Sequence, residues 1–219
     1  MYEVSIMNET TGSIGCVIMA SGLAKRFGSN KLLALFGGRP LLCRTFDATD
    51  TPLLTGRIIV TRSAEVEQLC GQYGIPCLRH TLPGRNDTVR LGLEALLTRQ
   101  PALAGCMFLP GDQPLLRRES VERVIEASRD PARSQKETER AAFRLAYQSP
   151  EEPDPLVGSP VLFTRGFFSD LRTLPEGKGG SFLLRNEPEQ VHLVLTAHRE
   201  ELLDADTPEA LRELEALVL

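Results

Sequence analysis

A chain of 219 residues with 42% hydrophobic and 25% charged residues is long enough to bury one sizeable α/β core. Its net charge of -4 and pI near 5.5 argue against a general nucleic-acid surface, which needs clustered Lys and Arg, while leaving room for a local phosphate site. No apolar run approaches the ~20 residues of a membrane span, residues 1–13 carry no signal-peptide core, and the five cysteines form no C-x-x-C pair, so a cytoplasmic protein with reduced thiols and a loose N-terminal extension is expected.

Residues 16–19 are apolar and read as a buried strand. Ala20, Ser21 and Gly22 follow, then Lys25, Arg26 and Lys31. Residues 32–36 read as a second strand, Gly37 and Gly38 turn it, and Pro40 suits the first position of a helix reaching about Ala48. Residues 57–61 form the next buried strand. Ser63 is placed to cap the helix after it, with Glu65 and Glu67 in the first turns. Gly74 and Pro76 end that helix, and residues 77–80 are a strand. Val89, Leu93, Leu96 and Leu97 share one face of a helix over 87–98. Residues 106–109 are a strand, and Val121, Val124 and Ile125 mark another helix. This alternation predicts a mostly parallel sheet covered on both faces.

Residues 129–140 are charged and aperiodic, which predicts a mobile loop. Residues 142–147 read as a strand and 151–155 as a turn-rich loop, so 129–155 is taken as a variable insertion. A strand at 160–163, a helix at 166–174, a glycine turn at 177–180, a short helix and a strand at 191–195 complete the pattern. Thr207 and Pro208 open the last helix, with Leu211, Leu214 and Val218 as its core face. No repeat or long linker appears, so 14–219 is expected as a single domain.

Four segments carry chemistry. The small residues after the first strand let backbone approach a ligand, and successive N–H groups there make an anion concavity. A plain strand–turn–helix connection with surface basics is the competing reading; the loop is neither a Walker A nor a G-x-G-x-x-G sequence. Asp112, in Leu109-Pro110-Gly111-Asp112-Gln113-Pro114, follows a buried strand and so belongs at the carboxyl end of the sheet, where open α/β sheets bind ligands. It is either a Mg²⁺ ligand or a turn cap. Asp204 and Asp206, just before a helix, supply either a second metal ligand or a favourable acidic helix start. Gly84-Arg85-Asn86-Asp87-Thr88 opens a helix, a place for an anion, a base edge or an ordinary cap. His80, His192 and His198 form no spaced pair.

Together these segments resemble the MobA-like NTP transferases. The family signature L-A-A-G-x-x-x-R-M-G-x-x-K stands here as Met19-Ala20-Ser21-Gly22, then Arg26-Phe27-Gly28 and Lys31, with Ser21 in place of Ala or Gly and Phe27 in place of Met. The ending Asn30-Lys31-Leu32-Leu33 is similar to the molybdenum cofactor cytidylyltransferase branch. Gly111-Asp112-Gln113-Pro114 resembles the family's Gly-Asp-x-Pro motif, and Asp204 to Glu209 its Asp-Ile-Asp-Thr-Pro-Glu motif. Gly158 to Phe163 is similar to G-[HN]-P-V-L-F, with Ser159 at the His or Asn position. Gly177-Lys178-Gly179-Gly180 resembles Gly-Asp-x-Gly-Ala-Arg, with Lys178 for Asp and the Arg missing.

The resemblance implies a GT-A-like, Rossmann-type three-layer α/β/α sandwich with a mostly parallel mixed sheet. It implies a nucleotidyltransferase in which an acceptor phosphate attacks the α-phosphorus of an NTP and pyrophosphate leaves. Ala20, Ser21, Gly22, Gly84, Asp87 and Thr88 would contact the nucleotide. Arg26 and Lys31 would hold its phosphates, and Asp112 with Asp206 would bind Mg²⁺ or Mn²⁺. Ser159 and Lys178 would face the acceptor. The branch points to CTP and molybdopterin, with a molybdenum hydroxylase or its chaperone as a protein partner. GTP with molybdopterin, CTP with a sugar or polyol phosphate, and a non-catalytic cofactor-delivery protein stand as alternatives.

Overall fold

The computed structural model describes residues 12–22, 27 and 30–218. The elements run β1 (Ile14–Ala20), β2 (Leu35–Phe36), β3 (Arg39–Pro40), α1 (Leu42–Ala48), β4 (Gly56–Thr61), α2 (Ala64–Gln72), β5 (Cys77–Arg79), α3 (Arg85–Arg99), β6 (Gly105–Pro110), α4 (Arg118–Ser128) and α5 (Gln135–Glu139). They continue through β7 (Ala142–Tyr147), β8 (Leu156–Thr164), α6 (Phe168–Arg172), α7 (Ser181–Asn186), β9 (Val191–Thr196) and α8 (Pro208–Ala216).

β1 is apolar on both faces because it lies inside the sheet, paired in parallel with β4 on one side and β6 on the other. The sheet has seven strands in the order β5-β4-β1-β6-β8-β7-β9. β8 alone runs against its neighbours β6 and β7. Alternate strand residues feed two cores. Cys16, Ile18, Ile59, Met107 and Phe143 pack under α1, α2, α4 and α8. Val17, Val60, Phe108, Val161 and Phe163 pack under α3, α6 and α7 on the other side. This is the three-layer, GT-A-like sandwich with a mostly parallel sheet. α3 approaches the sheet closely at Gly92, where a Cβ would lie 2.5 Å from Val17 Cγ1.

The caps read from sequence act as expected. Ser63 Oγ accepts from the Val66 N–H at 3.2 Å, and Thr207 Oγ1 accepts from Ala210 at 3.1 Å with Pro208 at the first helical position. Other expectations need correction. The strand expected at 32–36 is a 3₁₀ turn, Lys31–Leu33, followed by the two-residue β2. Pro40 ends β3 rather than opening a helix, because Gly37 and Gly38 (φ +58° and +77°) fold β2 onto β3 as a tight hairpin. Within 129–140, α5 is a capped helical turn: Ser134 Oγ accepts from Glu137 N–H, and Glu137 Oε2 accepts from Ser134 N–H at 2.7 Å. The segment expected as a variable insertion also holds β7, between β8 and β9, with Phe143 and Leu145 fully buried. Val218 is exposed, beyond the last turn of α8. The five cysteines are free thiols, and no helix among the described residues is long and apolar enough to cross a membrane.

Candidate active site

The carboxyl ends of β1, β4, β5 and β6 lie on one edge of the sheet. Asp112 emerges there, two residues after β6. Its turn is stapled down by Gly111, whose N–H donates to Met19 O at 3.1 Å and whose carbonyl accepts from Thr45 Oγ1 at 3.2 Å. A Cβ on Gly111 would lie 2.7 Å from Leu42 Cδ1, so glycine allows this close approach to α1. The Asp112 carbonyl then accepts from Ala205 N–H at 2.9 Å, which draws the 204–206 segment from the far end of the chain alongside β6.

Lys31 closes the group. Asn30 Oδ1 caps its 3₁₀ turn and buried Leu32 anchors it, leaving the ammonium aimed at the carboxylates. Lys31 Nζ pairs with Asp112 Oδ2 and donates to Asp206 Oδ1 at 2.8 Å. Burial works to lower the Lys31 pKa, but the hydrogen bonds and charges of Asp112 and Asp206 outweigh it and raise the value. Asp204 keeps a solvent-facing flank. Burial of its carboxyl, then the Asp112 charge, nevertheless push it up to about 6, against a hydrogen bond from Gln113.

Among the described residues, no group of three or more His, Cys, Asp or Glu is set to hold a metal. Two carboxylates with substrate phosphates are the usual arrangement for Mg²⁺, however. Asp112 and Asp206 meet at one cation, and Asp112 Oδ1 is buried with no partner among the described residues. The residues present therefore fit a divalent ion.

Ala20, Ser21 and Gly22 leave the end of β1 at the same edge. Among the described residues, nothing lies within 4 Å of a Cβ built on Gly22. Arg26 lies outside the described residues. At the start of α3, Asp87 Oδ2 accepts from Gly84 N–H at 3.1 Å and its other oxygen pairs with Arg90 at 3.3 Å, while Thr88 is buried. Asp87 is thus a helix cap in this structure. Asn86 Oδ1 accepts from Gly177 N–H at 3.0 Å, so the loop bearing Lys178 abuts the same helix end. Ser159 precedes a cis peptide to Pro160 in β8; continuing the β6–β8 register sets it level with Pro110, two residues before Asp112.

Glu201 and Arg62 were not found by sequence reasoning, and His80 was noted only as a histidine without a spaced partner. Glu201 is fully buried and accepts from Arg117 N–H (3.0 Å), Ser120 Oγ (3.0 Å) and Thr196 Oγ1 (2.6 Å), fixing the segment that leads into Asp204. In the run Glu200-Glu201 nothing distinguishes it from a solvated acid. A cavity of about 470 Å³ lies away from all these residues, at the amino-terminal end of the parallel strands, where Gly12, Ala104, Arg129 and Arg165 line it. Depth alone does not mark the site.

A sequence model of the MobA-like NTP transferase domain matches residues 16–193. The chain is similar to 3-deoxy-manno-octulosonate cytidylyltransferase of Polynucleobacter asymbioticus, at 30% identity over 105 residues, or 46% of this chain and 41% of that protein. It is similar to a probable molybdenum cofactor guanylyltransferase of Pyrococcus horikoshii, at 26% identity over 108 residues, 49% of this chain and 53% of that one. The chain thus spans about half the length of these curated relatives. The fold matches that of Rv0371c from Mycobacterium tuberculosis, with a TM-score of 0.76 and 23% identity over 93% of this chain and 98% of that one; Rv0371c has also been solved with manganese. With the domain match covering most of the chain, the chain belongs to the MobA-like NTP transferase domain family.

Proposed function

We propose that the protein transfers CMP from CTP to a phosphate-bearing acceptor, the molybdopterin cofactor, and releases pyrophosphate. What supports this is the meeting of Asp112 and Asp206 at a single cation beside the small-residue loop after β1. An acceptor phosphate monoester has a second pKa near ~6 and is largely dianionic at neutral pH, so no strong protein base is needed. Its oxygen forms a bond to the α-phosphorus as the bond from that phosphorus to the β-phosphate bridging oxygen breaks, and the electron pair leaves with pyrophosphate.

The protein's share is alignment and charge. The Ala20, Ser21 and Gly22 backbone seats the nucleotide, with Gly84, Asp87 and Thr88 toward the base. Lys31, kept protonated by its carboxylate neighbours, offsets the negative charge of the leaving group together with Arg26. Asp112 and Asp206 would hold Mg²⁺ or Mn²⁺, which when bound supplies Lewis-acid neutralisation of the triphosphate. Ser159 and Lys178 face the acceptor.

CTP is favoured by the cytidylyltransferase resemblance and relative, while the guanylyltransferase relative supports a second reading with GTP. Thermal denaturation with each of the four NTPs, with and without Mg²⁺, separates them: CTP with Mg²⁺ is expected to raise Tm most, since a ligand bound only by the native state stabilises it. A rise with GTP alone supports the second reading, and no rise with any NTP removes the transferase reading. Asp112→Ala is expected to abolish Mg²⁺-dependent pyrophosphate release, at a cost of several kcal/mol, on the order of 10²-fold or more in rate. Full turnover by that variant would overturn the metal assignment.

A further inference from the structure

Ser21 stands where the family signature has Ala or Gly, and its hydroxyl is already committed. Oγ lies 3.0 Å from the Val60 carbonyl oxygen and 3.0 Å from His80 Nε2. A carbonyl can only accept, so the single hydroxyl proton goes to Val60 and the imidazole must donate its Nε2–H to Oγ. That fixes the His80 tautomer and leaves Nδ1 unprotonated; this atom is buried with no partner among the described residues. On the other side, Arg62 Nε donates to the Ser21 carbonyl at 2.8 Å and one of its terminal nitrogens donates to the same oxygen. Residues at the ends of two neighbouring strands, β4 and β5, thus grip one loop residue through both its side chain and its backbone.

We propose that His80 and Arg62 are positioning residues that lock the Ala20-Ser21-Gly22 loop through Ser21, and that Ser21 sets the loop's shape rather than reading the base. The proposal rests on that loop being the nucleotide seat. A loop held in its binding conformation spares each binding event the ordering of its backbone, so the lock acts on nucleotide affinity and not on the chemical step. The charged groups facing His80 are Arg62 after β4 and Asp87 and Arg90 of α3. Burial, then Arg62 and also Arg90, hold its pKa below the ordinary histidine value, with Asp87 opposing, so the neutral locking form prevails at pH 7. Protonation would place a second N–H, on Nδ1, in a buried spot without an acceptor.

Two measurements on the unliganded protein test the lock directly. Imidazole ¹⁵N NMR should show His80 as the Nε2–H tautomer at pH 7.5, and Ser21→Ala should abolish that preference. Backbone order parameters at Ser21 and Gly22 should stand near ~0.85 and fall toward ~0.6 in His80→Ala, Arg62→Ala and Ser21→Ala. His80→Gln, whose side-chain N–H can donate at similar reach, should restore them. In turnover, His80→Ala should raise the CTP KM roughly 3- to 10-fold, the worth of one hydrogen bond, with kcat within about twofold. His80→Ala should add nothing in a Ser21→Ala background, and Ser21→Ala should keep the wild-type order of preference among the NTPs. Unchanged order parameters in both His80→Ala and Arg62→Ala, or a switch of base preference in Ser21→Ala, would overturn the proposal. A wild type that binds no CTP while the NMR differences persist defeats the nucleotide reading and leaves the lock standing.

Discussion

His192 and Asp204 respond to the same pH range in opposite senses. His192 stacks on Phe143 (ring centroids 5.1 Å apart), and its Nδ1 accepts from Arg133 at 3.1 Å. Burial, then the Arg133 charge, lower its pKa. The unfolded chain therefore binds this proton more readily than the folded one, and stability falls as pH drops below the unfolded value near ~6.5. Asp204, with its carboxyl pushed up to about 6, stabilises the fold increasingly as pH falls through that value. Comparing variants isolates the histidine. His192→Gln should lose less stability than the wild type between pH 7.5 and pH 5.5, by up to about 1.4 kcal/mol for each unit of pKa difference, read from urea midpoints at the two pH values. An equal loss in both proteins would show that folding does not lower the His192 pKa. Single residues were the least legible level of the sequence. Asp112 could be singled out because an acid following a buried strand lies at a ligand-binding edge. Glu201 could not, because its three donors come from residues 5, 81 and 84 positions away in the chain.

Among the elements, those with a local cause were readable. β1, β4 and β6 are short apolar runs, and α2 and α8 carry side-chain caps that need only a few neighbouring residues. α5 was missed although Ser134-Gln135-Lys136-Glu137 is a capping-box sequence, because its charged composition hides any apolar period. The direction of β8 was not readable either. Strand–helix alternation predicts parallel pairing, whereas β7 and β8 are joined by the short turn-rich segment 148–155, which returns the chain antiparallel. The contact between α3 and the sheet gives a sharp test at this scale. Gly92→Ala places a methyl among Val17 Cγ1, Val17 Cγ2 and Val60 Cγ2, at 2.5, 2.9 and 3.1 Å. Helix propensity favours Ala over Gly by about 1 kcal/mol, yet overpacking here should cost about 1–3 kcal/mol and prevail. The denaturant midpoint should fall with an unchanged slope, and a rise would show that α3 can lift off the sheet freely.

At the scale of the whole molecule, the site joins residues 31, 112 and 206, and what holds the last of them in place is a buried acid outside the site. Glu201→Ala leaves the Arg117 N–H and the Ser120 and Thr196 hydroxyls without their shared acceptor. Each unsatisfied buried donor costs about 1–3 kcal/mol, so Tm should drop by several degrees. The nucleotide KM should rise as well, because the segment leading to Asp206 loses one of its anchors. A variant that loses stability but keeps wild-type affinity would show that the Ala205–Asp112 backbone bond suffices to hold the segment.

The pairing of Lys31 with Asp206 spans 175 positions of sequence. During synthesis β5, β4, β1 and β6 can pair with one another before Asp206 has been made. A nascent chain would then hold Lys31 against Asp112 alone, and the second carboxylate of the proposed site would join only once residue 206 is made.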